Sequence, residues 1–414
     1  MGSLGGRSVR VLASSRLRAA QAGISLVETL VALVLGLTMV SVALDLQTSN
    51  RAVSGQIQAM VRLQESAGIA AALLETNLRH AGGTLCRNNP PTTTLLDTPS
   101  LASYWDYRLH TPAKPYAYWE YIDGGGLLGI HGYESTTSDP IVGDNRKAGD
   151  SISIMSDNMG AVARVTGPAT HTSQPGTFGF TGTYTFPVDK GLNFPVGTVA
   201  MVCDYTRAVL FQVTASNAST ITLQAGGGTP PSPGNCSVTM RRVKLLTDPV
   251  SALDGNFSCT KKGQNLLPQQ GQIYAFGPGS MIGEHTFHHW YIGRKTGTSD
   301  GLSLYRRSMG YDGSGNVELS AAQEIVQNVT DMQITYLSGL LGTGYPAQAR
   351  YKTADEINSQ GSYVQRGVTA VRILLTVTSP EKVGLAATDT ASAATYTIPI
   401  NVTIRARMPG VVRR

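Results

Sequence analysis

From Ile24 to Leu44 almost every residue is apolar, and Glu28 is the only ionisable side chain. As a helix rising about 1.5 Å per residue, this stretch spans the roughly 30 Å hydrocarbon core of a bilayer. Beyond Leu46 the apolar density falls, but helical spacing persists. Val53, Ile57, Met60, Val61, Leu63, Ile69, Leu73, Leu74 and Leu78 recur at steps of three and four. No proline stands between Ile24 and Pro90. The pattern therefore predicts one helix of roughly 55 residues ending near Arg79, with Gly82-Gly83 as its stop signal. Its second half should lay an apolar stripe on a folded domain. Gly36, Gly55 and Gly68 weaken it locally and mark points where it could bend or melt.

From about residue 150 the period changes to that of strands. Ser151–Met155, Thr198–Cys203, Ala208–Thr214, Thr220–Leu223 and Ser237–Val243 alternate or run apolar between Gly, Pro and Asn turns. A second set follows at Gln272–Phe276, Thr286–Ile292, Ser303–Arg307, Met332–Tyr336, Ala370–Thr378 and Thr395–Ile404. Ala321–Val329 reads as a short helix capped by Ser320, and Gly384–Thr395 as an exposed hairpin loop. The expected fold class is α+β: a long N-terminal helix, transmembrane in its first half, packed on an antiparallel β-sheet, with an additional β-rich lobe. The divisions are a basic leader at 1–23, a membrane segment at 24–46 and a packing helix at 47–80. A turn-rich aromatic region at 81–148, an inserted lobe at 149–260 and a sheet domain at 261–414 follow. The aromatic region carries Tyr104, Trp105, Tyr107, Tyr116, Tyr118, Trp119 and Tyr121.

Composition changes the picture little. Only 14% of residues are charged, low for a globular chain, while Gly numbers 46. The net charge is +6, but Arg7, Arg10, Arg16 and Arg18 supply four of those units, leaving +2 for the rest. Bulk charge thus gives no ground for nucleic-acid binding. Cys86, Cys203, Cys236 and Cys259 form no CxxC pair, so two disulfides of an exported protein are the expectation. Three pairings are open, and the reading leans to Cys203–Cys236 with Cys86–Cys259 as the remainder.

Motifs for chemistry are weak. Gly124-Gly125-Gly126-Leu127-Leu128-Gly129 matches G-x-G-x-x-G but lacks a strand before it and a helix after it, so it reads as a loop. His285, His288 and His289 cluster beside Glu284 on a strand pattern. Alternation puts His285 and His289 on one face and His288 on the other. Packed histidines outweigh zinc there. Asp312 to Glu318 opens like a calcium loop, but Val317 replaces the required Gly and Gln323 the final Glu, so a hairpin turn is the default. No nucleophile elbow or phosphate loop occurs. The expectation is no catalytic residue, no metal and no cofactor.

The N-terminus carries the specific signal. A basic leader should stay cytoplasmic, exporting the remainder. A secretory signal places its cleavage site after the apolar run; here the small residue, Gly23, precedes it. A carboxylate within a membrane span is a functional hypothesis by default, and the natural partner of Glu28 is a new α-amino group at Ile24 on a neighbouring subunit. Gly23-Ile24-Ser25-Leu26-Val27-Glu28-Thr29-Leu30 resembles the cleavage signal of type IV prepilins and pseudopilins. The resemblance implies that a prepilin peptidase removes the leader 1–23 after Gly23 and methylates Ile24, the first mature residue. It also implies that Glu28 serves assembly. Phe is commoner than Ile at the first mature position.

The run Arg62-Leu63-Gln64-Glu65-Ser66 through Leu78-Arg79-His80-Ala81-Gly82-Gly83-Thr84-Leu85-Cys86 is similar to minor pilins of the PilW type. So are Gly149-Asp150-Ser151-Ile152-Ser153-Ile154, Leu304-Tyr305-Arg306-Arg307 and Val368 to Leu375. The resemblance implies a minor pilin that starts or tips a type IV pilus for adhesion and twitching motility. Its implied partners are other minor pilins, the major pilin, the prepilin peptidase and a tip adhesin, with no nucleic acid. The implied location is the bacterial inner membrane, as a single pass with a periplasmic C-terminus, and then the extracellular pilus near its tip. Two rivals stand beside it: a minor pseudopilin of the J type in type II secretion, and a tip module binding a surface, a glycan or DNA. A membrane-anchored hydrolase would need a convergent polar pocket that the sequence does not display.

Overall fold

A computed structural model describes residues 25–86, 92–96, 129–173, 181–191, 194–225, 234–235, 238, 240, 274–297, 301–338, 350–359, 368–383 and 392–405. The chain divides into two compact units, residues 1–57 with 383–391, and residues 58–382 with 392–414. Helix α1, Leu26–His80, is a single run of 55 residues. Ser25 opens it: its carbonyl accepts from the Glu28 and Thr29 N–H groups and its hydroxyl from Val27 N–H. In the apolar segment the hydroxyls of Thr29 and Thr38 donate to Leu26 O and Leu35 O, so neither needs water.

From Leu26 to Arg51 every residue of the helix is exposed; Leu26 is 74% and Met39 72% exposed. In the second unit one stripe is covered. Ala59, Leu63, Ala67, Ala70, Leu74 and Leu78 follow steps of four and three and are buried. The leucines alone contribute about 1.5–3 kcal/mol each by burial. Half of that stripe is alanine, which the large-residue pattern passed over. Ile57, Val61 and Ile69, expected in the stripe, lie outside it and are more than half exposed.

The strands of the second unit form three sheets. The largest has nine strands: β1 (Thr92–Thr94), β2 (Ile130–Tyr133), β3 (Ala148–Arg164), β6 (Val199–Cys203), β7 (Ala208–Gln212), β10 (Met281–Arg294), β11 (Leu302–Tyr311), β12 (Val317–Leu319) and β13 (Gln323–Gln327). Its spine is the antiparallel pair β3–β10, with Trp290 opposite Ile152 and His289 opposite Ser153. Residues on both sides of the division expected at 260 thus share one sheet. The second sheet runs β15 (Tyr351–Lys352), β14 (Val329–Ser338), β16 (Val368–Val383) and β17 (Ser392–Thr403), with the short helix α2 (Ala354–Ser359) after β15. The third runs β4 (Thr170–Ser173), β5 (Gly182–Pro187), β9 (Thr220–Ala225) and β8 (Ala215–Ser216).

Three cores follow. The first joins the α1 stripe to Ile152, Ile154, Trp290 and Ile292 of the large sheet and to Met332, Ile334, Val371 and Ile373 of the second. The second lies on the other face of β3 and β10, around Met155, Phe287 and Tyr291. The third fills the lobe with Tyr184, Phe186, Phe211 and Phe276. The fold is α+β.

Three expectations need correction. Ala321–Val329 is not a helix: Gln323–Gln327 pairs with β11, because its apolar Ile325 and Val326 join the first core rather than capping a turn. Phe276 lies in no strand but is buried in the lobe, and the N–H of Phe276 donates to the Tyr184 hydroxyl. The disulfide is Cys86–Cys203, Cα to Cα 5.8 Å, so Cys203 is not left for Cys236. The cause is tertiary: the residues that follow α1 reach the β6–β10 pair, where Cys203 lies opposite Met281 and the Leu85 side chain fills the space above Gly283. Cys236 and Cys259 lie outside the described residues.

Candidate functional site at the helix and its docking junction

Among the residues expected to matter for processing, Glu28 occupies the first turn of α1, where the helix dipole favours an acid. Gly23 and Ile24 lie outside the described residues, as do the aromatic run at 104–121 and Gly124 to Leu128. The helix they lead is long and apolar enough to cross a membrane, with mean hydropathy 2.2 over its most apolar window and none of that window buried.

The other end of α1 is built into the body. Gly82 N–H donates to Met155 O at 2.8 Å, and Gly129 N and backbone stand so close to Gly82 that a Cβ on Gly129 would fall 1.9 Å from Gly82 N. That close approach is the reason for glycine at the last position of the G-x-G-x-x-G run. The segment Gly149 to Ile154, singled out by sequence, is the hub of the junction. Gly149 has φ +60, and a Cβ there would meet the Met332 backbone N and O at 2.7 Å. Asp150 then bridges two elements: its Oδ1 accepts from Ser135 N–H and its Oδ2 from Ile334 N–H, both at 2.8 Å. This side chain does the work of a backbone bond at Ile334, which lies beyond the two-residue pairing of β14 with β15. Burial raises the Asp150 carboxyl, against the pull of those two N–H groups. Gly149→Ala combines a left-handed backbone with the clash, and is expected to cost on the order of 1–3 kcal/mol or more, read as a lower urea midpoint.

Ser151 and Ser153 point to the other face of β3. There the Ser153 hydroxyl meets His289 Nδ1 at 3.0 Å, His289 Nε2 meets Asp139 Oδ2 at 2.9 Å, and Ser151 donates to the same Asp139 oxygen at 2.5 Å. Asp139 Oδ1 accepts from Ile141 N–H at 2.9 Å. Four residues further up the same face, His285 Nδ1 lies 2.9 Å from Asp157 Oδ1. Burial opposes ionisation of Asp139, but the hydrogen bond and charge of His289, with Ser151 and Ile141 N–H, bring its carboxyl down to about 2. Asp157 goes the other way: burial raises it, and His285 with the Leu85 backbone offsets only part. The difference follows from donor number, since Asp139 collects three donors.

Ser153, His289 and Asp139 are the residue types of a nucleophilic triad, yet each is sealed: 0%, 0% and 2% exposed. A nucleophile needs a space for the reacting atom within about 3 Å; here the group is packed beneath the second core. The arrangement ties the loop of residues 134–147 to the sheet instead. The alternation expected for the histidines holds, with His285 and His289 inward and His288 on the opposite face beside the Ser308 hydroxyl. Burial lowers His288 to about 4. Asp312 is a turn former: its oxygens accept from Ser314 N–H, Asn316 N–H and the Asn316 amide. Among the described residues no cluster of three metal-ligating side chains occurs. Asp139 and Asp157 were invisible in sequence, and Asp150 was singled out only within its segment, without its partner Ile334. Asp139 lies 150 residues from His289, Asp157 lies 128 from His285 and Asp150 lies 184 from Ile334, and no spacing motif joins any of these pairs.

A long apolar N-terminal helix ahead of an antiparallel β body defines the class: an α+β protein whose helix fits a single-pass membrane span. Residues 289–412, from the middle of β10 onward, match the family model PilW, described as Type IV Pilus-assembly protein W. That part of the chain, about three tenths of its length, is thus similar to type IV pilus-assembly proteins of the PilW family. Comparison with curated proteins and with solved structures gave no match.

Proposed function

We propose that this chain is a minor pilin, cut after Gly23 by a prepilin peptidase and methylated at Ile24, which takes part in starting or tipping a type IV pilus. The observation that carries the reading is the order of features: a basic leader, Gly23, then an apolar helix broken only by Glu28, ahead of a PilW-type body. In the inner membrane the apolar helix is solvated by lipid. On assembly, sister helices replace that lipid, and Glu28 meets the α-amino group of Ile24 on a neighbour, which removes the cost of a lone charge in an apolar medium. The body, with its lobe and three sheets, suits a terminal position better than a repeated shaft position. Its partners there are other minor pilins, the major pilin and a tip adhesin, and its role is structural rather than catalytic.

Gly23→Ala should leave the precursor at full length, read by mass spectrometry of the membrane fraction. Glu28→Ala should be cut normally yet enter sheared filaments poorly. A mature N-terminus anywhere but Ile24, or normal filament entry of the uncut precursor, overturns the reading.

A further inference from the structure

The sheet of β14 to β17 ends on β17, which has β16 on one side. Three contacts set their register. Ile404 N–H donates to Thr369 O at 2.8 Å, Arg372 Nε to Asn401 Oδ1 at 2.9 Å, and the Thr376 and Thr397 hydroxyls meet at 3.0 Å. These pairs advance in opposite senses along one register, so the strands are antiparallel. In such a pair alternate residues exchange both backbone bonds with the neighbour, and those between them direct N–H and C=O away. Ile404 bonds inward, hence so do Val402, Ile400, Ile398, Tyr396 and Ala394. Thr395, Thr397, Pro399, Asn401 and Thr403 therefore face outward. Pro399, which lacks an N–H, falls in the outward set, where it removes no bond from the ladder. Among the described residues no hydrogen bond fills that outer row.

Exposed edges are normally blunted by charge, by shortness, by a bulge or by proline, and Pro399 interrupts the outward N–H row of β17 at one position. β17 is 12 residues long and has no Lys, Arg, Asp or Glu. Its inward side chains also change along the strand: Ile400, Val402 and Ile404 are buried, whereas Ala394, Tyr396 and Ile398 pack on the same core but stay half-buried. An unfilled backbone row and a half-covered apolar row thus coincide.

We propose that the outer edge of β17 receives an extended segment of another polypeptide as a fifth strand. An extended backbone is the chemistry that matches a row of alternating donors and acceptors. Its side chains alternate, apolar over Tyr396 and Ile398 and uncharged polar beside Thr395 and Thr397, because β17 offers no charge to pair with.

The test is residue-resolved amide hydrogen exchange of the full chain in detergent micelles. Alone, the amides of Thr395, Thr397, Asn401 and Thr403 exchange fast while Tyr396, Ile398, Ile400 and Val402 are protected. An added peptide of alternating Thr and Val slows the outward set roughly tenfold or more, and an alternating Lys-Glu peptide of equal length does not. Thr397→Pro deletes one outward N–H and weakens that protection at its neighbours with the inward amides unchanged. Thr395→Pro serves the same purpose should Thr397→Pro unfold. Outward amides already protected in the chain alone, or equal protection by both peptides, overturn the proposal.

Discussion

Asp139→Ala is expected to cost about 3–5 kcal/mol of unfolding free energy, because it leaves His289 buried without its partner. Asp139 gathers His289, Ser151 and Ile141 N–H at one buried carboxylate. His289→Ala should cost a similar amount. The double variant should cost less than the sum, since the second removal breaks a pair already broken. Urea unfolding of the four proteins measures this coupling, and additive losses would show that the pair acts as two separate groups.

The same carboxylate gives a pH signature. Its folded value of about 2 lies below the ordinary 3.8. As pH falls the unfolded chain takes up this proton first, so the contribution is complete above about pH 4 and is lost on the way down to about 2. Its size is roughly 2 kcal/mol. Asp150 and Asp157 have the opposite sign. Burial raises both, so their ionisation penalises the folded state above 3.8. The whole protein therefore mixes opposed trends, and the difference between wild type and Asp139→Ala isolates the acid-side loss. Equal slopes in the two proteins between pH 2 and 4 would contradict the assignment.

The second large effect is the bridge. Cys86→Ser with Cys203→Ser opens a loop closed over a sequence separation of 117, and should lower stability by about 2–5 kcal/mol. Cys86 follows the end of α1 by a few residues, so the loss should be visible first at the helix end. Amides from Leu78 to Gly83 should exchange faster in the double variant than those of β3 and β10. A non-reducing digest should yield a peptide joining Cys86 to Cys203, and one joining Cys203 to Cys236 would contradict the fold at this point.

Legibility in the sequence tracked the range of the interaction. The helix from Leu26 to His80 was readable because its period, its apolar content and its stop glycines are local properties. Most strands were readable for the same reason, and so was the split of His285 and His289 from His288 across a pleat. Ala321–Val329 misled because a short apolar run fits helix and strand alike, and a neighbouring edge, here β11, decides between them. The buried stripe was read toward large residues, whereas close docking selected Ala59, Ala67 and Ala70.

By itself the sequence determined a basic N-terminal stretch, one apolar helix with Glu28 near its start, a β-rich body and the resemblance of its segments to PilW-type pilins. These depend on neighbours along the chain and on the solvent each segment requires. Only the tertiary structure decided which cysteines meet, which carboxylate each buried histidine faces, why Gly149 must be glycine and which strand ends the second sheet among the described residues. Those outcomes depend on segments more than a hundred residues apart arriving at one place, and no periodicity in a chain encodes such a meeting.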